Sequence, residues 1–118
     1  MPLVSRRFSR NDRLQSASQN SPPLAHGATG LAVELLQTSL VELGFPMPIS
    51  TKNGNIAGDG IFGTETANTV RAFQKMQGLS ADGIAGRDTL GRLDQIVAAR
   101  ETARLMQDRI AVEKLFWT

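Results

Sequence analysis

The sequence predicts an all-α fold: a small three-helix core with a pseudo-twofold internal repeat, followed by a C-terminal helical extension. Three observations predict it. The stretch DGIFGTET at residues 59–66 returns as DGIAGRDT at residues 82–89, with Asp, Gly, Ile, Gly and Thr in the same order and spacing. Each copy is preceded by Val-x-x-apolar-Gln, as VELLQ at 33–37 and VRAFQ at 70–74. Between and after these turns, apolar residues recur at steps of three and four, the period that stacks side chains on one face of a helix.

The elements follow in order. Residues 1–27 are Ser- and Arg-rich and end in NSPPLAHG; they form a basic arm that is either disordered or lies along the domain. Pro22 and Pro23 stop any helix there and favour an extended entry, and His26 reads as a solvated loop residue. The domain proper is expected over 28–94. Its first helix spans about 29–44, with Val33, Leu36, Leu40 and Leu43 on one face and Gly44 as the left-handed stop. Residues 45–58, FPMPISTKNGNIAG, form a long loop rich in turn residues, where Asn53-Gly54 suits a short hairpin. The second helix follows DGIFG, buries Ala67, Val70 and Phe73, and ends at Gly78. The third follows DGIAG and runs into the extension, residues 95–118, as one long helix or with a bent continuation. In it Ile96, Ala99, Ala103, Met106, Ile110 and Trp117 fall near heptad spacing, beside Leu105, Val112 and Phe116. This amphipathic surface either folds back over its own core or is covered by a partner, since bare apolar faces of that size are disfavoured.

The repeated turn is itself a folding device. Glycine at its second and fifth places suits positive φ. Asp59 and Asp82 are placed to accept hydrogen bonds from backbone N–H groups one or two residues on. Ile61 and Ile84 are expected to point inward, each contributing roughly 1.5–3 kcal/mol by burial. Glu65 and Asp88 fall in the first turn of the next helix, where acids suit its dipole. The two copies share the middle helix, and the loop at 45–58 accounts for the longer first copy.

Composition narrows the function. With no Cys and a single His, nucleophilic triads, thiolate sites and multi-histidine zinc sites are excluded. Paired carboxylates hydrolyse glycans, but here the acids sit in the repeated turns or alternate with bases on helix surfaces. The chain therefore reads as a non-enzyme without a cofactor. NGNIAGDGIFGTE places Gly58 sixth in an EF-hand-like loop counted from Asn53, yet Ala57 stands fifth and Thr64 twelfth, where a bidentate Glu is required; no metal site is expected. Arg6, Arg7, Arg10 and Arg13 face only Asp12 in the first thirty residues, whereas residues 31–118 carry nine bases and ten acids. Without an aromatic pattern such an arm reads as a solvated tail or a protein-docking strap, which argues against nucleic acid. No segment approaches a membrane span. The opening MPLVSRRFSRNDRLQSASQN lacks the apolar run of a secretory signal, so synthesis in the cytoplasm is expected.

GLAVELLQTSLVELGF and GDGIFGTETANTVRAFQKMQGLSADGIAGRDTLGRL together resemble the peptidoglycan-binding-like domain, a three-helix module found beside many cell-wall hydrolases. The resemblance covers about 27–94 and includes both turns and both Gln helices in order. It implies murein as the ligand, held by polar side chains and backbone groups in a shallow groove, and makes Asp59, Gly60, Phe62, Gly63, Thr66 and Arg71 the candidate contacts. Phe62 stands where the second turn has Ala85, so it is either an exposed contact or a plug under the long loop. Arg71 is placed to meet a peptide-stem carboxylate. SRRFSRNDRLQSA and LGFPMPIS are in addition similar to stand-alone versions encoded with phage-tail-like contractile injection particles. Two functions follow from these resemblances: a non-catalytic module that anchors a partner or particle to murein, or a structural adaptor of such an assembly. The adaptor would use the fold for protein contacts or self-association, through the helix from Ile96 to Trp117. Either would act at the wall or as part of a released or injected particle.

Overall fold

The computed structural model describes residues 2–50 and 58–117, with side chains described as far as 107. Its elements are helices: α1 (Arg6–Ser9), α2 (Asp12–Ala17), α3 (Leu31–Glu42), α4 (Thr64–Met76) and α5 (Arg87–Trp117). Helices α3, α4 and α5 are the three expected core helices. Val33, Leu36 and Leu40 of α3 meet Val70 and Phe73 of α4 and Leu90 and Leu93 of α5 in one buried cluster. Leu43 packs at its edge, and Phe45 meets Phe73 edge-on with ring centroids 5.8 Å apart. The chain leaves α3 through Gly44 at φ 95° and α4 through Gly78 at φ 72°, the left-handed conformation that glycine adopts without a Cβ penalty. The expected hairpin at Asn53-Gly54 lies outside the described residues.

The basic arm is neither disordered nor a solvated tail. Ser5 and Asn11 cap α1 and α2, their side chains accepting the N–H groups of Phe8 at 3.3 Å and Leu14 at 2.9 Å. Phe8 and Leu14 are completely buried, and Leu3, Ala17 and Leu24 join them in the core. Two carboxylates of α5 hold the start of the arm. Asp94 accepts the N–H groups of Val4 and Ser5, both at 2.8 Å, and Glu101 accepts those of Arg6 and Arg7 at 2.9 and 3.2 Å. Arg7 reaches across to α3 and meets Glu42 at 2.6 Å, while Arg13 donates to the carbonyls of Pro22 and Pro23. The strap thus docks on its own domain.

After the prolines the arm runs extended and pairs with both repeated turns. Leu24 and Ala85 exchange N–H···O bonds of 3.0 and 2.8 Å, and the Phe62 N–H donates to Ala28 at 2.9 Å. This pairing corrects the expected orientation of the isoleucines. Successive residues of an extended segment face opposite sides, so burial of Phe62 and Ala85 turns the residues before them outward. Ile61 is 57% exposed and Ile84 39%, against 1% for Phe62.

Helix α5 is one uninterrupted helix, not a helix with a bent continuation. Its buried stripe is Leu90, Leu93, Asp94 and Val97. The expected heptad does not coincide with it: Ile96 is half-buried, and Ala99, Ala103 and Met106 are exposed. The side chains of Ile110 and Trp117 lie outside the described residues. Arm and helix turned the stripe, because α1 and α2 pack on α5 from the side that Asp94 and Glu101 mark.

Candidate functional site

The two glutamines that precede the turns build the centre of the domain. Gln37 is buried, and its amide donates to Asp59 Oδ1 at 3.1 Å, to the Ile61 carbonyl at 2.9 Å and to Thr66 Oγ1 at 3.0 Å. Its oxygen accepts the Gly60 N–H at 2.9 Å. Gln74 repeats every contact on the second turn: Asp82 at 2.8 Å, the Ile84 carbonyl at 3.0 Å, Thr89 at 2.9 Å, and the Gly83 N–H at 3.0 Å. Asp59 and Asp82 each accept a second bond, from the N–H two residues on, at 2.9 Å. The recurring Asp, Gly, Ile and Thr are therefore the partners of one buried amide in each copy, and among the described residues no buried side-chain polar atom is left unpaired.

This assignment sorts the candidate contacts. Phe62 is the plug, not the exposed contact: its ring is buried in the core. Thr66 is fully buried with its hydroxyl in the Gln37 knot, and Gly60 is buried, its N–H donating to Gln37 and its carbonyl accepting the Gly30 N–H. These three have no surface to offer a polymer. Asp59 is exposed at the turn, and Gly63 is half-buried at the start of α4. Arg71 is exposed but leans away from the first turn. A Cβ at position 83 would stand 3.0 Å from its Cζ and 3.1 Å from Nη2, so the guanidinium lies against Gly83 of the second turn. Its Nη1 donates to Asn68 Oδ1 at 2.8 Å.

The structure adds a surface that the sequence reading missed. Between the start of the long loop and α4 lies an open groove of about 460 Å³, walled by Phe45, Pro46 and Ile49 on one side and Glu65, Asn68 and Ala72 on the other. Glu65 fixes the loop wall, its carboxylate accepting the N–H groups of Ile49 at 2.9 Å and Ser50 at 2.8 Å. Along the outward face of α4, Thr64, Asn68, Arg71 and Lys75 are all exposed. Their spacing of i, i+4, i+7 and i+11 was the available signal. Among the described residues this groove belongs to the first copy, which carries the inserted loop. Among the described residues no three His, Asp or Glu side chains gather as a metal site, and no helix is long and apolar enough to cross a membrane.

Comparison with known proteins agrees with this architecture. The family model of the peptidoglycan binding domain matches residues 29–93, more than half of the chain and both glutamine knots. The chain is 44% identical over 68 residues to the N-acetylmuramoyl-L-alanine amidase CwlL of Bacillus licheniformis, a match covering 58% of this chain and 18% of that protein. It is 38% identical over 76 residues to the zinc D-Ala-D-Ala carboxypeptidase of Streptomyces albus G, covering 64% of this chain and 28% of the relative. The chain thus spans less than a third of either relative. The crystal structure of the SleB N-terminal domain superposes with a TM-score of 0.54 at 33% identity, covering 67% of this chain and 97% of that one. A peptidoglycan-binding protein from Clostridioides difficile, solved in complex with glutamine hydroxamate, gives 0.56 at 33% identity over 66% of this chain and 44% of its own. With its duplicated knots, three core helices and this match, the chain belongs to the peptidoglycan binding domain family.

Proposed function

We propose that this chain binds peptidoglycan without hydrolysing it, and so holds a partner protein or a larger particle against the bacterial wall. The observation that carries this reading is the division of labour in the fold. The Gln37 and Gln74 knots consume the polar groups of both turns internally, so the turns act as scaffold and the outward face of α4 with its adjoining groove is left for a ligand. Of the candidate contacts, Arg71 lies on that face, and Asp59 and Gly63 keep accessible surface in the turn before it. A binding role without catalysis is supported by the relatives, two of which are named as hydrolases of far greater length and share with this chain only the segment described above.

A second reading, that of an adaptor in a phage-like contractile injection assembly, is favoured by one feature. Helix α5 continues past Val97, its last buried residue among those described, and leaves Leu105 and Met106 exposed, at 52% and 60%. Such a face suits a protein partner or a second copy.

Co-sedimentation of the purified chain with isolated sacculi separates the two. Saturable binding by the chain alone is expected from a wall-binding module. A folded chain that stays in the supernatant, yet forms oligomers or retains a protein partner through α5, requires the adaptor reading instead.

A further inference from the structure

We infer that Arg71 is the anchor for a free carboxylate of the murein peptide stem, with Asn68 and Gly83 as the parts that hold it in position. This rests on the wall-binding reading and names the component of murein that is recognised.

Three features of the site lead there. First, Arg71 is oriented without being neutralised. Asn68 accepts from its Nη1, Gly83 provides a surface free of Cβ against which the guanidinium lies, and among the described residues no carboxylate stands within ion-pair distance of it. The acids nearby are otherwise engaged: Asp59 and Asp82 in the glutamine knots and Glu65 on the loop. A guanidinium fixed in this way has already lost much of the side-chain freedom that carboxylate binding costs, and it presents its remaining N–H groups as a fork.

Second, the equivalent place in the first copy is closed. Gly60 faces the backbone of Gly30, whose carbonyl would lie 3.1 Å from a Cβ there. The position on α3 that matches Arg71, three residues before the glutamine, is Glu34. Among the described residues it is therefore the second copy that carries a cation over its turn.

Third, the groove that shares Asn68 suits a short peptide better than a sugar face. Its walls are small apolar surfaces from Pro46, Ile49 and Ala72, and its one ring, Phe45, is engaged edge-on with Phe73. The chain has no Tyr. Murein stems carry methyl side chains and end in carboxylates, whereas the glycan presents hydroxyls and favours exposed aromatic plates. Because Arg71 only donates, Asn68 must turn Oδ1 toward it, which leaves the Asn68 amide N–H groups free to donate outward to a peptide carbonyl.

The test is co-sedimentation of the full chain with intact sacculi and with sacculi whose carboxylates have been converted to amides by carbodiimide and ammonia. Wild type is expected to bind amidated sacculi about tenfold more weakly, the size of one charge-assisted contact. Arg71→Gln should bind both preparations equally, at the weaker level, with its circular dichroism unchanged. Arg92→Gln, which removes the same charge from the exposed face of α5, should behave as wild type. Equal binding of wild type to both sacculi, or equal weakening by Arg71→Gln and Arg92→Gln, overturns the anchor while leaving wall binding intact. Failure of folded wild type to bind intact sacculi overturns wall binding and the anchor together.

Discussion

Gln37 and Gln74 occupy equivalent places in the two halves of the domain, and each donates its amide to the aspartate, the isoleucine carbonyl and the threonine hydroxyl of the turn that follows. Burying an amide is unfavourable unless its hydrogen bonds are made. Here they are made twice by the same set of partners, so the internal repeat of the sequence is a repeat of one polar network.

Replacing Gln74 by Leu keeps the volume and recovers about 2 kcal/mol of apolar burial. It also strips the Gly83 N–H of its acceptor and the Ile84 carbonyl of its shorter donor, leaving the latter only the Thr89 hydroxyl at 3.5 Å, at about 1–3 kcal/mol each. At the middle values the two losses exceed the gain, and Gln74→Leu is expected to destabilise the domain by about 2 kcal/mol in urea unfolding. Gln37→Leu should cost a similar amount, since its partners are the same. A neutral effect at either position would show that the network does not hold the turn.

Phe62 and Ile61 should separate sharply in a thermal melt. Truncating the buried ring by Phe62→Ala is expected to cost about 3–5 kcal/mol. Ile61→Ala, at a residue more than half exposed, should stay within about 0.5–1 kcal/mol of wild type. The reverse order would restore the inward-pointing isoleucine expected from the sequence.

That reversal shows what the sequence leaves open. The helices were legible because α3 and α4 keep a helical apolar period, and the turns because the Asp-Gly-Ile-x-Gly pattern recurs. Which of two adjacent apolar residues faces inward was not, since it depends on the pairing of Phe62 with Ala28 and of Ala85 with Leu24, supplied by the arm. The arm itself was hidden by its composition. Phe8 and Leu14 are single apolar residues among Arg, Ser and Asn, and helices as short as α1 and α2 have no period to detect. Their caps, Ser5 and Asn11, were the only local signal. Of the candidate contacts named from the sequence, Arg71 and Asp59 are exposed. The groove was not legible, because it forms between a loop and a helix face that no sequence pattern brings together.

The arm supplies a prediction of its own. Leu3, Phe8 and Leu14 are buried, and each contributes roughly 1.5–3 kcal/mol. Together they rival the total stability of a small domain, about 5–15 kcal/mol. A chain beginning at residue 21 should therefore fail to fold cooperatively, as read by circular dichroism on heating, even though it retains the whole segment matched by the family model. Asp94→Ala, which removes the acceptor of two N–H groups, should cost about 1–3 kcal/mol in the full-length chain.

The exposed part of α5 should behave in the opposite way. Leu105 and Met106 are exposed, beyond the last described buried residue Val97, so Leu105→Ser with Met106→Ser should leave the stability within about 0.5 kcal/mol of wild type. The same pair should leave binding to sacculi unchanged. If α5 serves an assembly, the change will instead appear as loss of oligomers or of a retained partner in sedimentation velocity.

Glu65 links stability to the proposed groove, which it helps to wall. Both its oxygens are spent on the Ile49 and Ser50 N–H groups, which set the loop wall opposite Asn68 and Ala72. Glu65→Gln keeps one acceptor and can hold one of the two N–H groups, so its cost in stability should stay near 1 kcal/mol, the value of one hydrogen bond. Murein binding should fall by more than that stability loss explains, because the wall carrying Pro46 and Ile49 is then tied at a single point. Measured on sacculi at a temperature well below the melt of both proteins, the folded fraction is constant and the comparison isolates the groove. Unchanged binding by Glu65→Gln would place the ligand elsewhere on α4, on the Arg71 side of Asn68.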